Sequence, residues 1–190
     1  MHFLRRLKKP TRSFFLLGPR ATGKSSWLEA NFVDSVLRID LLRNDVYFPL
    51  MADPSIFRQR VLAQDPKNTW IIVDEVQRIP DLLNDVHSLM ENEGYQFALS
   101  GSSARKLKRN NANLLAGRAL VRHMYPLTQA EYGSVLTLEE ALAFGTLPGV
   151  VTDPEFRIDR LEAYVDTYLR VEIKEEALTR NVQAFSRFLE

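Results

Sequence analysis

The densest chemistry in the sequence lies in one turn. Gly18-Pro19-Arg20-Ala21-Thr22-Gly23-Lys24-Ser25 fits the pattern G-x-x-x-x-G-K-[ST]. A loop of this kind between a strand and a helix N-terminus aims successive backbone N–H groups at one small volume, which makes an anion cradle. Gly23 lets the backbone approach a phosphate with no Cβ in the way. Lys24 can reach the outer phosphates of a nucleoside triphosphate as a point charge, and the Ser25 hydroxyl is suited to ligate Mg2+. Gly18 through Ser25, with Ser26 in the first helical turn, are therefore the expected ATP-binding residues. The context agrees, with apolar Phe14–Leu17 before the loop and helix-forming Ser26–Ala30 after it.

A second constellation is Trp70-Ile71-Ile72-Val73-Asp74-Glu75. Four apolar residues followed by two carboxylates set both acids at the C-terminal edge of a buried strand, where ligands of open α/β sheets bind. Asp74 is expected to hold Mg2+ through water, and Glu75 to polarise an attacking water as general base. Taken alone, the pair could equally be two acids opening a turn; about 50 residues beyond a phosphate loop it reads as the metal-side element. A third element is Leu99-Ser100-Gly101-Ser102-Ser103. Ser100, or failing it Ser102, can hydrogen-bond a γ-phosphate or the lytic water, while Ser102 or Ser103 can instead cap a helix over 104–108. The G-x-S-x-G elbow of a serine hydrolase is absent. Arg118, Arg170 and Arg20 are candidates for meeting transition-state charge, in cis or from a neighbouring copy, with a solvated surface arginine as the alternative for Arg118 and Arg170. His2, His87 and His123 have no metal-ligand spacing. Asp40 reads as a loop carboxylate.

These residues need strands that end together. Ser13–Leu17, Ser35–Leu41, Trp70–Val73, Tyr95–Leu99 and Leu120–Tyr125 are β-prone runs, and helical patterns over 24–31, 54–63 and 80–91 separate them. Strands alternating with helices of this length predict an α/β fold, a mainly parallel five-stranded sheet flanked by helices. After Pro126 the pattern turns helical, with Leu138–Phe144 and a long amphipathic stretch from Pro154 to about Thr179. Residues 1–133 are thus expected to form the nucleotide-binding α/β domain and 134–190 a C-terminal helical segment.

With these motifs in place the chain resembles the prokaryotic AAA+-like P-loop ATPases that pair an AAA domain with a C-terminal domain of unknown function, the DUF4143 family. The resemblance runs through Gly18–Ser25, Asp74-Glu75-Val76-Gln77 within Trp70–Pro80, and Leu99–Ser103. It continues through Leu115-Ala116-Gly117-Arg118, Tyr125-Pro126-Leu127-Thr128, Gly145-Thr146-Leu147-Pro148-Gly149 and Tyr168-Leu169-Arg170-Val171-Glu172-Ile173. It implies Mg·ATP binding, ATP hydrolysis and strand order 5-1-4-3-2, with the sensor strand between the two Walker strands. It also implies a second domain of which this chain carries at most the start. Ala21 stands where the family commonly has Gln.

Composition fits a single globular unit with a small appendage. The 190 residues are 45% hydrophobic and 26% charged, with no Cys, which excludes a disulfide framework, a Cys zinc site and a thiol nucleophile. No apolar run approaches the roughly 20 residues of a membrane span, and no signal-type h-region opens the chain, so a cytoplasmic location is expected. The net charge of +1 hides blocks: the first 28 residues carry seven basic side chains and no acid. The interval between Glu93 and Glu131 carries six with no acid, and from Glu131 to the end there are 12 acids against six bases. Basic Arg5–Arg12 and Arg105–Arg109 could contact nucleic acid, but no aromatic residues interleave with them, and a solvated or partner-docking face is favoured. The apolar stripe Phe185, Phe188 and Leu189 would need a partner surface, either a second copy or a missing domain. The expected function is an ATPase; a nucleotide-binding switch without useful turnover and a nucleic-acid-dependent ATPase are the alternatives.

Overall fold

The computed structural model describes residues 3–102, 115 and 117–166. By internal contacts the chain forms two compact units. One comprises Leu7–Pro19 and Gly23–Met124; the other comprises Met1–Arg6, Arg20–Thr22 and Tyr125–Glu190. The main stretch of the second unit begins at Tyr125, nine residues ahead of position 134, and the unit takes in both the N-terminal segment and three residues of the phosphate loop.

The first unit is built on five strands: β1 (Phe14–Leu17), β2 (Val36–Asp40), β3 (Trp70–Asp74), β4 (Gln96–Gly101) and β5 (Leu120–His123). Every pairing is parallel and the order is β2-β3-β4-β1-β5, which is the expected 5-1-4-3-2 seen from the other edge. Side-chain alternation decides what covers each face. Phe15, Leu17, Ile39, Ile71, Val73, Phe97 and Leu99 point to one side. There they meet Leu50 of α2 (Asn44–Ala52), Phe57 and Val61 of α3 (Ser55–Leu62), and Leu82, Leu83, Val86 and Leu89 of α4 (Leu82–Asn92). Phe14, Leu16, Ile72 and Ala98 point to the other side, against Trp27 and Leu28 of α1 (Lys24–Asn31) and Phe32 beyond it. Phe14 stands at the centre of an aromatic cluster, about 6 Å from the rings of Trp27, Phe32 and Trp70. Each such fully buried aromatic contributes roughly 2–3 kcal/mol of transfer free energy.

Helix α2 was not predicted. Pro49 sits inside it, and an internal proline reads as a breaker because it lacks the N–H of the helical ladder. The apolar residues Val46, Tyr47 and Leu50 nevertheless have the sheet to pack against, and that tertiary burial outweighs the local defect.

The second unit holds α5 (Gln129–Tyr132), α6 (Leu138–Phe144), α7 (Pro148–Thr152) and α8 (Arg157–Tyr164), around a small core of Leu127, Tyr132, Leu136 and Val151. Capping boxes start α5 and α6: Thr128 with Glu131, and Thr137 with Glu140. Arg157 ties this unit together by donating to Glu140 at 2.8 Å. No helix among the described residues is long and apolar enough to cross a membrane.

Candidate functional site

Parallel strands end on the same edge, so β1, β3 and β4 deliver their C-terminal residues side by side. The order β3-β4-β1 makes Asp74-Glu75, Ser100-Gly101 and the exit of β1 immediate neighbours. The glycine opening the loop is held on both sides. Its amide donates to the Gly101 carbonyl at 3.3 Å, and a Cβ on Gly18 would lie only 1.9 Å from the Met124 carbonyl oxygen. Only glycine fits where the loop leaves the sheet.

Gly23, at φ +88°, is the N-cap of α1, and its carbonyl accepts the first helical bond from Trp27 at 2.9 Å. Lys24 is buried, and its ammonium folds back to donate to the Gly18 and Pro19 carbonyls at 2.8 and 2.9 Å. Ser25 and Ser26 are exposed in the first turn of α1. The Ser25 hydroxyl donates to Asp74 Oδ2 at 2.6 Å. Ser100, fully buried, donates to the other Asp74 oxygen, and its hydroxyl accepts the Glu75 amide at 3.2 Å. One chain of hydrogen bonds thus joins Ser25, Asp74, Ser100 and Glu75.

Glu75 sits in the left-handed region (φ +57°, ψ +46°) and is 8% exposed. The turn Val76–Arg78 follows it, and Gln77 Nε2 donates both to Glu75 Oε2 and to Ser102 Oγ. The Gln77 Oε1 atom is buried against Gly101 and has no hydrogen-bond partner among the described residues. Among the described residues three non-glycine residues have positive φ, Ala21, Ser35 and Glu75, and Glu75 follows directly on Asp74. Such conformations cost about 1–3 kcal/mol each and cluster where chemistry needs a particular side-chain direction.

Arg20, Ala21 and Thr22 belong to the second unit. Ala21 has φ +60°. The Tyr164 hydroxyl lies 3.5 Å from the Arg20 carbonyl, and Arg5 donates to the Thr22 carbonyl at 2.9 Å. Thr22 itself is fully buried.

Beside Ser25 and Asp74 opens a cavity of about 280 Å3 lined by Glu29, Arg38, Asp40 and Leu42. Asp40 is the last residue of β2 and not a loop carboxylate; it accepts the Leu42 amide at 2.9 Å and faces this cavity. The site's donor set is all hard oxygen at Ser25 and Asp74, which suits Mg2+. Among the described residues no group of three His, Cys, Asp or Glu could by itself hold a metal ion. A divalent ion there would need phosphate or water oxygens to complete its shell.

Two further sequence expectations are corrected. Arg118 precedes β5, at the N-terminal edge of the sheet and opposite the phosphate loop, and it pairs with Glu91 at the end of α4 at 2.5 Å. A role for Arg118 on a nucleotide bound by its own chain does not survive that placement. Arg5 departs from the expected solvated basic face, with a side chain only 10% exposed, whereas Arg6, Lys8, Lys9 and Arg12 are exposed, Lys9 donating to the Asn31 carbonyl at 2.7 Å over the Phe32 ring. Ser103, Arg105–Arg109, Arg170 and the Phe185, Phe188, Leu189 stripe lie outside the described residues. Sequence reasoning missed Gln77, although it stands in the quoted Asp-Glu-Val-Gln, and it missed Arg5, which was counted only as charge.

A profile of the AAA_14 family, described as an AAA domain, matches residues 10–133. No curated protein matches the sequence. Among solved structures the chain is similar to domain III of the Thermotoga maritima replication initiation protein DnaA, with 16% identity over 90% of this chain and 80% of that one and a TM-score of 0.44. It is also similar to a replication initiator DnaA bound to AMPPCP and single-stranded DNA, with 14% identity, 86% of this chain covered and a TM-score of 0.49. It spans 62% of that second chain. Likeness this remote says nothing about ligand or partner.

Proposed function

The chain belongs to the AAA_14 family of AAA domains, and from that premise we propose that it binds Mg·ATP and hydrolyses it to ADP and phosphate. The observation that carries the reading is the hydrogen-bonded run Ser25–Asp74–Ser100–Glu75 beside a loop whose lysine rests on its own carbonyls. In this reading Gly18–Ser26 cradle the phosphates, and Lys24 exchanges the Gly18 and Pro19 carbonyls for phosphate oxygens. A charge-assisted bond to an anion is roughly twice as strong as one between neutral groups, so the exchange is favourable. Ser25 and Asp74 are the residues that would hold Mg2+, which supplies charge neutralisation on the phosphates. Glu75 orients and deprotonates the attacking water, and Ser100 turns its one proton from Asp74 to the γ-phosphate while its oxygen keeps the Glu75 amide. The subgroup with a DUF4143 second domain rests on the quoted sequence motifs and is part of the same proposal.

Calorimetry with Mg·ATP and a phosphate-release assay test it. Lys24→Ala should abolish binding. Glu75→Gln should retain binding while turnover falls by about 10²–10⁴-fold. Intact binding in the lysine variant, or unchanged turnover in the glutamine variant, overturns the assignment. One observation favours a second reading, a nucleotide-binding switch with little turnover: Gln77 Nε2 donates to one of the two Glu75 carboxylate oxygens, an acceptor that a water would compete for. Tight ATP binding with no phosphate release at any protein concentration selects that reading. A nucleic-acid-dependent ATPase has weaker support, since no aromatic residues interleave with the basic block and Arg5 is engaged within the fold.

A further inference from the structure

Arg5 lies outside residues 10–133, ahead of the first strand, yet it reaches the phosphate loop. All three guanidinium nitrogens are used. Nη1 donates to the Thr22 carbonyl at 2.9 Å, Nη2 to the Tyr125 carbonyl at 2.5 Å, and Nε to Glu131 Oε1 at 3.1 Å. Arg5, Thr22, Tyr125 and Glu131 belong to the same compact unit. The side chains of Arg5 and Glu131 are 10% and 6% exposed, so this is a nearly buried ion pair. Burying two charges is unfavourable unless the remaining donors and acceptors are met. Here they are: Glu131 also accepts the Arg6 amide at 2.8 Å and the Thr128 amide at 3.0 Å.

The peptide joining Thr22 to Gly23 is planar and trans, so its C=O and N–H point in opposite directions. A group that grips the Thr22 oxygen therefore also aims the Gly23 N–H, away from Arg5. Gly23, at φ +88°, could otherwise rotate at little cost. We propose that Arg5, anchored on Glu131, is a positioning residue that fixes the Thr22–Gly23 peptide so that its N–H is preset for a phosphate oxygen. This rests on the nucleotide reading above. A lysine cannot replace it, because a single ammonium lacks the planar fork that spans three acceptors in fixed directions.

The test measures ATP affinity by calorimetry, kcat against KM, and melting temperature for the full chain carrying Arg5→Ala, Arg5→Lys or Arg6→Ala. Arg6 is exposed and removes the same charge from the same segment. Arg5→Ala and Arg5→Lys should each weaken ATP binding about tenfold, with kcat at saturation kept within about twofold, and Arg6→Ala should bind like wild type. Should Arg5→Ala fail to fold, Arg5→Lys decides, because it keeps a cation beside Glu131. A folded Arg5→Lys with wild-type affinity overturns the proposal. So does an equal loss in Arg6→Ala, which would make the effect one of charge, and so does a lower kcat and melting temperature with unchanged affinity, which would make it merely structural. Failure of the wild-type chain to bind ATP would instead overturn the functional reading beneath it.

Discussion

The Ser100 hydroxyl accepts the backbone amide of Glu75 at 3.2 Å, so the tip of β4 fixes the residue that follows β3. The same hydroxyl donates its proton to Asp74, leaving no spare donor for a second acceptor. Ser100→Ala should strand the buried Glu75 amide, at a cost of about 1–3 kcal/mol, and release Asp74 from one side. Turnover should fall at least tenfold while ATP still binds. Phosphate release and thermal melting check this, and normal turnover in a folded alanine variant removes Ser100 from the mechanism.

Arg118 gives the opposite expectation. It is partly exposed, paired with Glu91, and on the far edge of the sheet. At low protein concentration Arg118→Ala should leave ATP hydrolysis within about twofold of wild type, as surface ion pairs rarely matter to chemistry elsewhere. A tenfold loss in dilute, monomeric protein would show that the placement has been misjudged.

Gly18 and Gly94 form a matched pair for stability. A Cβ at Gly18 meets the Met124 carbonyl at 1.9 Å, whereas at Gly94, with φ +75°, it meets nothing within 4 Å. Gly18→Ala must move backbone and should cost about 3 kcal/mol. Gly94→Ala is strained only in its own dihedral and should cost about 1 kcal/mol. Denaturant melts of the two variants rank them, and equal losses would mean that the β1 exit yields more easily than its packing indicates.

Glu131 supplies a pH test. Burial pushes its carboxyl up, but the Thr128 and Arg6 amides, the Arg5 charge and the Thr128 hydroxyl outweigh it and hold the group below the ordinary glutamate range. An acid whose folded value is depressed stabilises the fold above its unfolded value, about 4.3, and that stabilisation is lost as the pH falls through the lower folded value. Wild type should therefore melt above Glu131→Gln at pH 7, and the gap should close as the pH drops below about 4. A gap independent of pH would mean that Glu131 is not ionised in the fold.

Much of this site was legible because its chemistry is local in sequence. The loop, the Asp74-Glu75 pair and Ser100 each stand at the end of an apolar run, and the unbroken burial of Phe14–Leu17 and Ile71–Val73, covered on both faces, fixes where those ends lie. Residues whose roles depend on distant chain segments were not legible. Arg5 meets Glu131 across 126 residues, so its charge was visible and its partner was not. For Arg118 the sequence leaves a role at the phosphates and a surface position both open, because a motif match does not say at which end of a strand the residue lies. Helix α2 was hidden by Pro49, whose local penalty only tertiary packing overcomes.

The strand order has a consequence for how the protein is made. Phe14 pairs with Ala98 on one side and Leu120 on the other, so β1 is an interior strand both of whose neighbours are synthesised after it. Until about residue 101 has emerged β1 has no neighbouring strand, and until about residue 124 the loop after it lacks the Met124 side of its packing. A nascent chain stalled earlier should be unable to capture nucleotide, and it carries four consecutive apolar residues that need shielding in the meantime.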